Sequence, residues 1–200
     1  IPPNGQGIAA LIALGIVERF NIADMPVDSV QSQHVQIEAM KLAFADLYKY
    51  VADPRSMEVT PEQMLSDDYL DSRAKLIRLD GATHFGAGRP AAGGTVYLTA
   101  ADAAGTMVSF IQSNYHGFGS GVVVPGTGIS LHNRGLNFVL TPGHANQVGP
   151  RKKPMHTIIP AFITRGGEPL MSFGVMGGSM QAQGHLQMVT RLAAFGQNPQ

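Results

Sequence analysis

The stretch AAGGTVYLTAADAAGTMVSFIQSN, residues 91–114, decides how this chain is read. Small residues run to Gly94, and from Thr95 the hydrophobic period becomes two. VYLTAAD and TMVSFIQSN therefore read as antiparallel strands, joined by a hairpin turn at Ala103-Ala104-Gly105. A threonine on that junction raises a chemical question. A hydroxyl is a weak nucleophile unless a base stands beside it, and a chain-terminal threonine can use its own α-amine as that base. Making such a terminus requires cutting the bond between Gly94 and Thr95. Gly93-Gly94 suit the cut, because glycine reaches backbone conformations other residues avoid and leaves the carbonyl unshielded. A threonine opening a strand after glycines is also an ordinary structural arrangement, so the feature alone does not choose.

Upstream, residues 1–50 read as helical. Apolar residues from Ile8 to Phe20 form a nearly all-buried helix, and Asp28 or Ser29 caps a second through VQSQHVQIEAMKLAFADLYKYV. Asp53-Pro54 ends it, since the residue before proline is pushed out of the α region. Thr60-Pro61-Glu62 is an N-cap with proline at the first helical position, which predicts a helix around 61–78. Residues 80–94, DGATHFGAGRPAAGG, read as an exposed linker. Downstream come glycine-rich loops at 117–128, then GISLHNRGLNFVL, a hairpin turning at Gly166-Gly167, and a final helix in QAQGHLQMVTRLAAFG. Helices, linker, antiparallel strands and a helix in that order predict an α+β layered fold rather than βαβ repeats.

Composition narrows the chemistry. The 200 residues are 44% apolar, enough for a sizeable core, and carry 14 basic and 14 acidic side chains. Zero formal charge favours neither nucleic acid nor an anionic membrane surface. With no cysteine there is no disulfide, thiolate metal site or cysteine nucleophile. IAALIALGIV (8–17) is half the ~20 residues a membrane-spanning helix needs. Ile1 is not an initiator and both ends look cut, so compartment is left open, with the cytoplasm favoured over a periplasmic or secreted location.

Long motifs in order resolve the threonine. TVYLTAADAAGTMVSFIQSNYHGFGSGVVVPGTGISLHNRGLNF, GPRKKPMHTIIP (149–160) and FGVMGGSMQAQGHLQMV (173–189) closely resemble the small subunit of γ-glutamyltranspeptidases and their glutaryl (cephalosporin) acylase relatives. PPNGQG and IEAMKLAFADLYKYVADP resemble the end of the same family's large subunit. The resemblance covers essentially the whole chain. It implies an N-terminal-nucleophile (Ntn) hydrolase with an αββα sandwich, here partial. Residues 1–94 would be the end of the large-subunit region and 95–200 the small-subunit catalytic region, a heterodimer after self-cleavage between Gly94 and Thr95.

The resemblance also assigns residues. Thr95 is the nucleophile, and Ser113 falls where the family has a hydroxyl that tunes it. Gly177 and Gly178 fall where paired backbone N–H groups form the oxyanion hole. Side-chain-free positions let both amides approach a developing alkoxide, worth about 3–4 kcal/mol per donor in acyl transfer. Ser113 read without the family is a polar residue on a strand face, and the glycines are a tight turn. Thr157 keeps the hydroxyl of a carboxylate-binding serine, and His156 replaces its neighbour, as a donor or a merely packed ring. Tyr115, Arg134 and Asn137 stand where the family offers Asn, Gln and Asp to the substrate's ammonium. A guanidinium repels an ammonium and presents a planar fork suited to carboxylate. The expectation is an acyl group with a terminal carboxylate and no amine, unless Arg134 makes a surface ion pair.

Other signals fail. Phe118 stands where GxSxG around Ser120 needs glycine, and Val122 where GxGxxG from Gly117 needs one, so the loop reads as bordering a substrate pocket. His34, His84, His116, His132, His144, His156 and His185 show no ligand spacing, and Met171, Met176, Met180 and Met188 read as core fillers. The sequence therefore predicts a self-cleaving amidohydrolase or acyltransferase needing no cofactor. Its partners are a small-molecule acyl amide and water or an amine acceptor. A non-catalytic or uncleaved family member, or a small-molecule-binding module, is the alternative.

Overall fold

Why the helical half ends where it does is visible in its caps. The computed structural model describes residues 2–83 and 94–199, with Gly94 as backbone only. Helix α1 spans Gly7–Glu18 and α2 spans Val30–Tyr50. Ser29 begins α2, its hydroxyl accepting from the Ser32 N–H at 3.1 Å. Val51 turns extended (ψ 121°), two residues before Asp53-Pro54. The 61–78 region is not one helix. Thr60 and Gln63 close a reciprocal capping box on the short α3, Pro61–Met64. Leu65 then leaves helical geometry (φ −109°, ψ 5°) and Ser66 starts α4, Asp67–Ala74. Two acidic residues in that new first turn complement the helix dipole, so a second start signal splits the segment.

These helices build the core. Ile8, Ile12 and Ile16 of α1 meet Val35, Leu42 and Leu47 of α2, a spacing that keeps one helical face inward. Gly15 lets α4 close on α1, since a Cβ there would sit 2.6 Å from Leu70. Arg19, which caps the end of α1, pairs with Asp67 and Asp71 of α4, and Arg73 of α4 with the buried Asp46 of α2 at 2.9 Å. Met155, Ile159, Ala182 and Leu186, from the far end of the chain, complete the same cluster. Each fully buried Leu or Ile adds roughly 1.5–3 kcal/mol.

The strands form two separate antiparallel hairpins. The first joins β1 (Gly94–Ala101) to β2 (Met107–Tyr115); the second joins β3 (Ala161–Arg165) to β4 (Glu168–Phe173). Asp102 orders the first turn by accepting from the Ala104 and Thr106 N–H groups at 3.0 and 2.9 Å. The second turns at Gly166-Gly167 as the sequence predicts, both at positive φ (60° and 87°), which the tight primed turns require. Val96, Leu98, Val108 and Phe110 leave the outer face of the first hairpin exposed. After β4 comes α5, Met180–Val189, which continues as one π-helical turn, Thr190–Ala194, a feature the sequence does not mark. No described helix is long and apolar enough to cross a membrane. Most of the predicted linker, residues 84–93 with His84 and Gly93, lies outside the described residues.

Candidate active site

The first hairpin is irregular at one point. Val96 pairs with Gln112 and Gly94 with Tyr115, so Thr95 alone faces both Ser113 and Asn114. This is a β-bulge, a device that re-aims side chains near sites. Strand side chains alternate, so Thr95 shares its face with Tyr97, and Ser113 shares its face with Ser109. The Tyr97 and Ser109 hydroxyls lie 2.9 Å apart, which shows that the two sets form one face. Ser113 Oγ accepts the Tyr115 N–H at 2.9 Å, giving the bulge a partner for one backbone donor.

The β4 strand runs along that face. Thr99 and Ser172 join through their hydroxyls, and Gly174 comes so close to Tyr97 that a Cβ would sit 2.6 Å from the ring. The Ser109 hydroxyl donates to the Phe173 carbonyl at 3.4 Å. Because 99 meets 172 and 97 meets 174, the two strands pass in opposite directions. Gly177 and Gly178 take φ values of 125° and 61°, which L side chains rarely adopt. Their carbonyls accept from the Met180 and Gln181 N–H groups, both at 3.2 Å, and so open α5.

A second cluster forms around Arg134, in a short 3₁₀ turn over Arg134–Asn137. Its side chain is 1% exposed, which excludes the surface ion pair. Nη1 donates to Thr157 Oγ1 at 2.9 Å, and the guanidinium carbon lies 5.3 Å from the Tyr115 ring centre, over its face. Nη2 is buried without a hydrogen-bond partner. Burial lowers the Arg134 pKa, and no described carboxylate acts on it. Tyr115 is held at φ 77°, stacks on His116 at 4.1 Å, and has its phenol pKa raised, chiefly by burial. Burial first, then Arg134 and His132, push the His156 imidazole down to about 4, so it is neutral at pH 7. His156 Nδ1 accepts the Ile158 N–H at 3.3 Å, which leaves the other ring nitrogen as the N–H donor. Arg134 is thus the one permanent charge of this cluster among the described residues.

The structure therefore groups Arg134, Thr157, Tyr115 and His156 in one cluster. It sets Thr95 and Ser113 on one strand face, and leaves Gly177 and Gly178 in the turn that joins β4 to α5. Asn137 belongs to the scaffold by its amide, which donates to the Met155 carbonyl at 2.9 Å. The 117–121 loop is tied to the segment before Arg134: the Ser120 N–H and hydroxyl both donate to the Leu131 carbonyl at 2.8 Å. Three residues near these groups carry no site role in the sequence reading: Gln6, which lies in the PPNGQG motif, and His116 and His132, which it weighs only as metal ligands.

Comparison with known proteins identifies the family. The sequence model described as Gamma-glutamyltranspeptidase matches residues 1–200. The glutathione hydrolase-like YwrD proenzyme of Bacillus subtilis is 38% identical over 200 residues, covering all of this chain and 38% of that protein. The oxamate amidohydrolase proenzyme of Klebsiella pneumoniae is 40% identical over 191 residues, covering 96% of this chain and 36% of that one. The crystal structure of a cephalosporin acylase from Bacillus halodurans superposes with a TM-score of 0.85 at 52% identity, over all of this chain and 36% of that one. The chain thus spans well under half the length of the relatives it matches. Its helices and antiparallel hairpins are those of an α+β member of this group, whose named activities are amide hydrolysis and acylase chemistry. With the match running from the first residue to the last, this chain belongs to the γ-glutamyltranspeptidase family.

Proposed function

We propose that this chain carries the nucleophile and acyl-binding pocket of a self-cleaving amidohydrolase. Its substrates are amides whose acyl group bears a carboxylate and no ammonium. The observation behind this reading is the buried Arg134, with Nη1 on Thr157 and Nη2 without a partner. An isolated buried guanidinium costs several kcal/mol of desolvation. A substrate carboxylate offsets that cost with charge-assisted hydrogen bonds, which a guanidinium forms better than any other side chain. A γ-glutamyl ammonium placed there meets like charge. Oxamate, in the name of the Klebsiella relative, is itself a carboxylate bearing an amide.

The chemistry runs in two stages. Thr95 Oγ attacks the Gly94 carbonyl, the Gly94–Thr95 amide becomes an ester as its C–N bond breaks and releases the threonine α-amine, and water hydrolyses the ester to free the hydroxyl and a Gly94 carboxylate. That amine then takes the Thr95 hydroxyl proton as Oγ attacks the substrate amide. Ser113 hydrogen-bonds the nucleophile, and the Gly177 and Gly178 N–H groups receive the oxyanion. The amine product leaves with the proton, and water cleaves the acyl-enzyme ester. Water is the main acceptor, and no cofactor takes part. Residues 1–94 and 95–200 become parts of two chains of a heterodimer. The bare face of Val96, Leu98 and Phe110 is covered when the αββα sandwich is complete, as an exposed apolar patch requires.

A gel and a substrate panel test this. The full chain should appear as two pieces split before Thr95, and Thr95→Ala as one. Glutaryl-anilide or oxamate should be hydrolysed well ahead of γ-glutamyl-anilide. A single intact band for the unaltered protein, or a preference for the γ-glutamyl group that Arg134→Gln leaves unchanged, ends the proposal.

A further inference from the structure

Gln6 lies at the start of α1, yet its side chain caps nothing there. It is fully buried, and its amide nitrogen donates to two carbonyls, Thr157 at 2.5 Å and Gly178 at 2.9 Å. Those acceptors belong to different parts of the site. Thr157 holds Arg134, and Gly178 opens the turn into α5. The backbone fixes Gln6 in this place. The Gln6 N–H donates to the His156 carbonyl at 2.8 Å, and the His156 N–H returns to the Asn4 carbonyl at 2.9 Å. This parallel pairing sets Gln6 beside Thr157 by register and leaves the side chain free to reach Gly178.

We propose that Gln6 is the positioning residue that couples the carboxylate pocket to the oxyanion amides. One planar amide with two donors sets the distance between the two carbonyls it binds. It therefore sets where an acyl group held at Arg134 presents its reacting carbonyl to Gly177 and Gly178. Misplacement of this kind by about 1 Å can cost on the order of 100-fold in rate. Gln181 reinforces the frame from α5 by accepting the Ile159 N–H at 2.9 Å. The inference rests on the reading of Arg134 and Gly177-Gly178 given above, and Gln6 itself touches no substrate.

The test uses the full, processed protein. Gln6→Met keeps the volume and removes both donors. It should lower kcat on glutaryl-anilide about 10- to 100-fold, with a smaller change in KM. It should also narrow the preference for glutaryl- over butyryl-anilide, so that adding Arg134→Gln costs less selectivity than it does alone. Gln6→Glu serves if the Met variant fails to fold. A carboxyl between two carbonyl oxygens donates only while protonated, so this variant should lose activity as pH rises through that titration while the unaltered protein does not. Binding of free glutarate, followed by calorimetry, should weaken in either variant. Kinetics within twofold of the unaltered protein, with additive Arg134→Gln effects, overturn the coupling even if Arg134 is confirmed. Unaltered protein that neither cleaves glutaryl-anilide nor binds glutarate overturns the underlying reading, and this proposal with it.

Discussion

Replacing Arg134 by methionine should move activity and stability in opposite directions. The side chain is 1% exposed, and its pKa is lowered by burial with no described carboxylate to compensate. In the ligand-free protein it makes one hydrogen bond to Thr157 Oγ1 and one contact over the Tyr115 ring. Those two contacts recover about 1 kcal/mol each, less than the several kcal/mol of desolvation for a buried ion. Methionine fills similar space without that cost, so Arg134→Met should stabilise the free protein by about 1–3 kcal/mol. The free nitrogen, Nη2, is what a substrate carboxylate newly engages. One hydrogen bond between charged groups contributes about 1.5–3 kcal/mol, or roughly 10- to 150-fold in kcat/KM. The assay compares glutaryl- and butyryl-anilide hydrolysis and thermal melts with and without glutarate. Glutaryl hydrolysis should fall by that factor with butyryl hydrolysis nearly unchanged. The melting temperature should rise, and glutarate should no longer shift it. A lower melting temperature with unchanged selectivity would show Arg134 to be a structural cation and refute the reasoning.

Other substitutions probe the frame. Gly174→Ala places a Cβ 2.6 Å from the Tyr97 ring, which should cost about 1–3 kcal/mol as overpacking and displace the strand leading to Gly177. Chemical denaturation should show this loss, and pairing it with Tyr97→Ala should restore most of it. His156 is held near 4 in the folded protein against about 6.5 unfolded. The unfolded chain therefore binds more protons in between, and stability should fall as pH drops from about 6.5 toward 4. His156→Gln should flatten that part of the curve; an unchanged slope assigns it to other groups. Leu186→Ala, fully buried in α5, should cost about 2–5 kcal/mol, measured by the urea midpoint. A loss under 1 kcal/mol would mean that α5 packs loosely against α1.

What could be read without coordinates was local. Ser29 before α2, Thr60-Pro61 before α3 and Gly166-Gly167 in the second hairpin each fix their own backbone within a few residues. Such short-range chemistry is written into the residue types. The family resemblance, not residue type alone, is what proposes Thr95 and the glycine pair at 177–178 for acyl transfer, which would need a hydroxyl at a cleavable junction and unshielded amides. Even locally, competing signals misled. The start at Thr60 hid the second start at Ser66, and nothing in the residue types marks the π turn after Val189.

Only the tertiary structure decided what those residues meet. The bulge at Thr95 comes from the register of two strands, which the hairpin turn alone did not specify. Arg134 was equally consistent in the sequence with a surface ion pair and with a carboxylate pocket. Folding buries it and puts Thr157, 23 positions on, against one of its nitrogens. Gln6 reaches Gly178 across 172 positions. No local propensity reports such distances. Burial and partnership arise when separate elements close on one core, and they determine whether a guanidinium is solvated or left with its charge uncompensated.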